Sequence, residues 1–234
     1  MSGFVLKGAL VEFMPTFLPI PLPNVIVFQY NPETMTHTWT QSEPAETSNP
    51  LAVKGMPGET FSFAIAMDAN DEIADGAAPT KAIAQATGIY SRLAALEMLL
   101  YPTGRTTKGL LGAVSTAIAS ALGGGSSDPE RQIPESVVPV TLFIWGPGRI
   151  VPVRVTGLTI TEQLYDNKLN PTHAEAQLSL SVLTPAELKA ADTDNDVLAS
   201  LASVAYYYTL TLRQGLALAN LANAGESIIG MIPH

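Results

Sequence analysis

Thr34-Met35-Thr36-His37-Thr38-Trp39-Thr40 alternates without a break, and the reading of the fold starts there. Successive side chains of a strand point to opposite faces. The four threonines therefore share one face, and Met35, His37 and Trp39 share the other. That predicts one wet face and one packed face. Just upstream, Phe28-Gln29-Tyr30-Asn31-Pro32 closes a preceding strand. A residue before proline is driven out of helix, and Asn favours turns. The same order returns far along the chain. Gly157-Leu158-Thr159-Ile160-Thr161-Glu162-Gln163 leads into the loop Asp166-Asn167-Lys168-Leu169-Asn170-Pro171, and Ala174 to Leu183 alternates again.

Working outward, residues 4–13 and 24–30 read as strands. Between them, Met14-Pro15 and the prolines Pro19, Pro21 and Pro23 make an extended loop, because proline cannot donate to a ladder. Residues 42–58 are loop-like. Residues 59–67 form a strand with Phe61, Phe63, Ile65 and Met67 inward and the small Ser62, Ala64 and Ala66 opposite. Those small residues would let a second subunit or a helix approach closely. Asp68 to Pro79 reads as a turn region, followed by one helix over 80–100 with Thr80 as its N-cap. Ile89, Leu93, Leu96 and Leu100 fall on one face of it, and Pro102 and Gly104 stop it.

Residues 103–133, with Gly123-Gly124-Gly125-Ser126-Ser127, have the composition of a low-complexity insertion, with room for a short helix around 110–122. Strands resume at 136–145, 149–163 and 173–183. The inward parity shifts at Gly157, which predicts a β-bulge. Thr184-Pro185-Ala186-Glu187 opens a short helix with Pro at its first position. A longer helix fills 196–222, with an interruption at Gly215 and an end at Gly225. The fold class is mainly β (α+β): a small barrel or sandwich with a flanking α-helix and a C-terminal helical tail. An unclosed mixed αβ layer fold is the alternative. Two parts are expected, a β domain over 1–190 and a helical extension over 191–234.

Composition narrows the function. Charged residues make up 14% of the chain and the formal net charge is −9, with no basic stripe, so nucleic acid is not an expected partner. A chain this poor in charge is suited to covering part of its surface with a partner. There is no cysteine, which removes disulfides and thiolate metal sites. Met1–Lys7 lacks a basic segment before a long apolar run, so no secretory signal is expected. The uncharged run from Val197 to Leu212 is short for a bilayer span.

The candidate chemistry is thin. Asp192, Asp194 and Asp196 have the spacing that opens a calcium loop, but Val197 and Ser203 stand where glycine and a bidentate Glu are needed. A polar turn with Asp196 capping the next helix is the reading. His37 and His173 lie in or beside strands without a third ligand, so packed or interfacial roles are expected rather than metal binding. Glu162 and Asp166 read as rim carboxylates, not an acid/base pair. No nucleophile elbow, phosphate loop or dinucleotide fingerprint is present. No enzyme, cofactor or metal is expected.

Together, the Phe28 to Thr40 region and the 150–183 pair with its Asn170-Pro171 turn resemble the tube-domain proteins of contractile injection systems, the phage-tail-like syringes. They look most like the baseplate member that starts the inner tube above the spike. The resemblance covers about residues 4–190. It implies a β-barrel flanked by a helix, and six copies closing into a ring around a lumen. It implies a spike or hub protein and an inner tube protein as partners, with sheath or baseplate wedge as further neighbours. It also implies assembly in the cytoplasm as part of a phage-tail-like particle. Baseplate members of this family often carry a C-terminal LysM module. From Ala190 onward this sequence has an Ala/Leu-rich helical tail instead.

Apolar residues surround that tail from Val197 to Leu221, and only Arg213 carries charge. Such a helix must bury most of its surface. Tyr206, Tyr207, Tyr208, Leu210 and Leu216 are therefore candidate interface residues, with 195–234 expected to pack across subunits or onto another baseplate protein. Two other classes remain as alternatives: a small-ligand-binding or hydrolytic β-barrel, and a peripheral membrane protein using 197–222.

Overall fold

The computed structural model describes residues 5–14, 22–42, 49, 51–101, 138, 140–191 and 196–231. Seven strands form one antiparallel sheet: β1 (Ala9–Met14), β2 (Leu22–Val27), β3 (Met35–Thr40), β4 (Gly58–Asp68), β5 (Thr141–Ile144), β6 (Ile150–Tyr165) and β7 (Pro171–Val182). Their order is β2-β1-β5-β6-β7-β4-β3. Among the described residues five helices accompany them: α1 (Ala69–Asp75), α2 (Ala78–Thr87), α3 (Tyr90–Met98), α4 (Pro185–Ala190) and α5 (Asp196–Met231).

The expected closed barrel is not formed: among the described residues β2 and β3 end the sheet and do not pair with each other. Phe28–Thr34 carries the chain from one edge strand to the other. Six inter-strand steps of ~4.8 Å would separate these edges in a flat sheet, about as far as eight residue steps can reach. The sheet therefore curls, and the connection crosses its open side. Each residue at the start of that crossing is tied down. Phe28 is buried against Phe63 and Trp145, and its amide donates to Gly8 O. The Gln29 amide group both donates to Asp68 O (2.8 Å) and accepts from Asp68 N (2.9 Å). Asn31 accepts from Gly8 N and donates to Leu6 O. A Cβ on Gly8 would lie 2.7 Å from Trp145, so only glycine fits under this crossing.

One face of the sheet carries the core: Phe61, Phe63, Ile65 and Met67 of β4, Phe143 of β5, Val151, Val153 and Val155 of β6, and alternate β7 residues from Ala174 to Val182. The inward parity expected for 59–67 is observed, as is the register shift between Val155 and Gly157. Ile89, Leu93, Leu96 and Leu99 close the core from the helical side.

The helices differ from expectation in four places. Asp68–Pro79 is not only a turn, because Asp68 caps α1 by accepting from Asn70 N. Thr80 is not an N-cap; α2 starts after Ala77 with proline in its first turn, and the Thr80 hydroxyl donates back to Ala77 O. The helix expected over 80–100 breaks at Gly88, which has φ +58, where a Cβ would meet Pro171 O at 2.2 Å. The break lets Ile89 N donate to that same carbonyl, tying the helical layer to the start of β7. And α5 runs through Gly215 and Gly225 to Met231, with Asp196 as its first helical residue. The Thr184 capping box on α4 is formed as expected. The insertion 103–133 with its short helix, and Asp192 and Asp194, lie outside the described residues. Among the described residues no helix is long and apolar enough to cross a membrane.

Candidate functional site

Two surfaces and one buried cluster position the functional candidates. The cluster sits at the end of the sheet where β4 begins. Glu59 has the same parity as Phe61 and Phe63, so the strand itself turns its carboxylate toward the core. Burial alone would push that carboxyl up, but hydrogen bonds from Arg213 and His37 outweigh it and hold it below the usual value. Arg213 of α5 grips both oxygens, at 2.9 and 2.5 Å. His37 Nε2 lies 2.7 Å from Oε1. Burial lowers the His37 pKa despite the carboxylate beside it, which favours a neutral ring donating to Glu59.

Aromatic rings frame these charges. His37 stacks on Phe61 (centroids 4.0 Å apart) and lies against Trp39. The Arg213 guanidinium is 5.9 Å from the Trp39 ring centre, and that of Arg149 is 5.3 Å from Phe61. Arg149 otherwise touches Met35 sulfur, and among the described residues it has no carboxylate within ion-pair distance. Trp39, expected on the packed face, is instead 53% exposed because β3 is the edge of the sheet.

This cluster seats the first half of α5. Tyr206 is only 9% exposed and belongs to the core, and Leu210 packs beside it. The buried Thr209 hydroxyl donates to Ile150 O (2.7 Å) and accepts from Ile150 N (3.1 Å). Tyr208 OH donates to Pro147 O, although its ring is largely exposed. Tyr207 and Leu216 face solvent, Leu216 at 64%. Of the five interface candidates, Tyr206, Tyr208 and Leu210 therefore already have partners within the chain. The expectation that the whole tail packs away from its own domain is corrected up to Arg213.

The second surface is the sheet face opposite the core. Thr36, Thr38 and Thr40 of β3, Thr60, Ser62, Ala64 and Ala66 of β4, Glu175, Gln177, Ser179 and Ser181 of β7, and Arg154, Thr156, Thr159 and Thr161 of β6 line it. Gln177 donates to Ser62 Oγ, and Thr156 Oγ1 to Ser179 O. His173 lies 3.4 Å from Asp68 at one end. Over β3, β4, β6 and β7 this face is hydroxyl-rich and sparsely charged, whereas the same side of β2 exposes Val25 and Val27.

The third feature is the β6–β7 hairpin tip. Asp166 organises it, accepting from Lys168 N, Asn170 N and Asn170 Nδ2 at 2.7–2.9 Å. The bonds from Asn170, chiefly, hold its carboxyl below the ordinary value. Glu162 instead sits near Tyr165 OH, so the two carboxylates do not form a pair. Among the described residues no three His, Asp or Glu side chains converge as a metal site.

Glu59, Trp39, Arg149 and Arg213 were not singled out as a cluster from the sequence, yet a signal was there. Glu59 is the one charge on an otherwise apolar strand parity, and Arg213 the one charge from Val197 to Leu221. Two lone opposite charges on two apolar faces are expected to meet. The chain matches no known family model and no curated protein.

Proposed function

We propose that this chain is a structural ring subunit of a contractile injection system. Six copies close around a lumen and join the spike and hub of the baseplate to the inner tube, within a phage-tail-like particle assembled in the cytoplasm. The chain does this by shape and templating, not by catalysis. The number six comes from the family resemblance.

The observation that carries the reading is the polar sheet face of β3, β4, β6 and β7. Along β7, twelve residues extend ~40 Å at strand rise. Over that length hydroxyls, amides and small side chains alternate, with few charges. Over β3, β4, β6 and β7 such a face stays wetted and offers passing cargo no strong field to hold it. The flanking edges support the same reading. Strands β2 and β3 are each paired on one side only. An edge with free N–H and C=O groups is a template for the next chain. A repeated head-to-tail contact of this kind closes into a ring when the rotation fits.

The absence of cysteine makes the test simple. A single Gln177→Cys should react with small and bulky thiol reagents in the free chain. In the assembled particle it should react with the small reagent and be shielded from the bulky one. Equal access for both reagents in the particle contradicts a lumen-lining face.

A further inference from the structure

Among the described residues Arg149 is a cation with no carboxylate in ion-pair reach. It stands on the β5–β6 hairpin, which Trp145 N closes by donating to Arg149 O (2.8 Å), with Gly146 at φ +69 in the turn. Helix α5 clamps that hairpin on either side of Arg149. Tyr208 OH donates to Pro147 O, and the Thr209 hydroxyl holds both backbone groups of Ile150. The side chain is thus presented from a fixed backbone. Its guanidinium lies over the Phe61 ring and donates to Met35 sulfur at 3.6 Å. Neither contact neutralises it. Burial first, and Arg213 second, push its pKa below the ordinary guanidinium value, and Glu59 opposes them. Both Glu59 oxygens are already engaged by Arg213 and His37. With His37 neutral, two guanidiniums and one carboxylate leave one positive charge uncompensated. A partly buried charge is ordinarily paired.

We infer that Arg149, with the aromatic floor that joins it to Arg213, is a receptor for one aspartate or glutamate side chain of a partner protein. The floor is continuous. Arg149 lies over Phe61, Phe61 stacks on His37, His37 lies against Trp39, and Arg213 covers Trp39. One uncompensated charge matches one carboxylate, whereas a phosphate dianion would overfill the site. The planar guanidinium fork also fits a carboxylate through two parallel hydrogen bonds. The half-exposed Trp39 ring leaves the site open at the edge of the sheet and gives the methylenes of an entering side chain an apolar wall. Tryptophan and arginine are the residues that most often carry protein–protein binding energy, which favours a protein as the source of the carboxylate. The clamped hairpin lowers the ordering cost of that contact. Neither the polar sheet face nor ring closure uses Arg149, so failure of this inference would leave the lumen reading standing.

The chain has only two tryptophans, so the Trp39 indole N–H can be followed by NMR on the full chain once Trp145→Phe has assigned the other signal. Titration with the peptide acetyl-Gly-Glu-Gly-amide should shift the Trp39 signal saturably. The glutamine counterpart, acetyl-Gly-Gln-Gly-amide, should not, and Arg149→Met should abolish the response. No shift with the glutamate peptide, an equal shift with the glutamine peptide, or a shift that survives Arg149→Met overturns the proposal. So does a stronger response to inorganic phosphate, which would make this a phosphate site. In a second measurement, Arg149→Met should leave the thermal midpoint unchanged or higher, because an unpaired, partly buried charge gives way to an apolar side chain. A lower midpoint would show that Arg149 serves the fold, and would overturn it as well.

Discussion

Two stretches of α5, both nearly free of charge, meet opposite fates. From Ala202 to Arg213 the helix lies on the sheet, through Tyr206, Thr209, Leu210 and the Glu59 ion pair. From Gln214 to Asn220 every residue is exposed. Both halves are rich in Ala and Leu. The three tyrosines and both threonines lie in the first stretch, so Ala and Leu content alone does not decide which one docks. The polar anchors do: a hydroxyl that satisfies both backbone groups of Ile150, and a guanidinium matched to a carboxylate that strand parity has already forced inward. Apolar surface supplies non-directional attraction, while buried polar groups fix which residues meet, because leaving them unpaired is penalised.

Truncation breaks this contrast most strongly. Ending the chain after Ala190 removes Tyr206 from the core and leaves Glu59 without Arg213. Loss of a large buried aromatic side chain costs about 3–5 kcal/mol. Orphaning a buried charge adds a comparable amount. A domain of ordinary stability, ~5–15 kcal/mol, should then be largely unfolded by circular dichroism or calorimetry. Ending it after Gln214 removes Gly215–Asn220, all of them exposed, and the residues after them. The thermal midpoint should stay within about 4 °C, the shift expected for roughly 1 kcal/mol. Equal damage from both truncations would show that the outer half is also seated.

Glu59→Ala comes next in size. It strands Arg213 and frees His37 while leaving the helix in place. Because Arg213 remains one-third exposed, the loss should fall to about 2–4 kcal/mol, below that of a fully buried pair. Chemical denaturation of Glu59→Ala and Arg213→Ala, singly and together, should give a strongly non-additive cycle. Additive losses would mean that the pair is an accident of packing.

Acid should produce the smallest and most gradual effect. Burial depresses the His37 pKa, so the unfolded chain binds a proton more readily than the folded one. The stability from the neutral ring is complete above pH ~6.5 and declines as pH falls through the folded-state value. The Glu59 pKa is lowered too, so its contribution declines further below the ordinary carboxylate range. Both slopes have the same sign. Denaturant midpoints measured across this window should fall with falling pH, and His37→Gln should remove the upper part of the decline. A midpoint that rises on acidification would contradict a neutral, buried His37.

The strands were legible in the sequence because period-2 alternation survives in single segments such as Phe61 to Met67 and Ala174 to Val182. The bulge at Gly157 and the capping box at Thr184 are equally local. Closure of the sheet was not legible. It depends on where Phe28–Thr34 crosses, and that is set by distant partners: Gly8, Asp68 and Trp145. The break at Gly88 likewise follows from the approach of Pro171, more than eighty residues away. In α5, glycine looked like a stop because propensity was weighed alone; the continuous helix carries Gly215 in open space, where it meets nothing. The tyrosine run does not tell that Tyr206 turns inward while Tyr207 turns out.

Copy number in the assembled particle tests the central claim most directly. Native mass measurement of the baseplate–tube junction, or an image with this chain located by a tag, should show six copies in one ring, with the Thr- and Ser-rich face of β4 and β7 toward the lumen. A single copy per particle, or a ring with that face turned outward, would contradict the account.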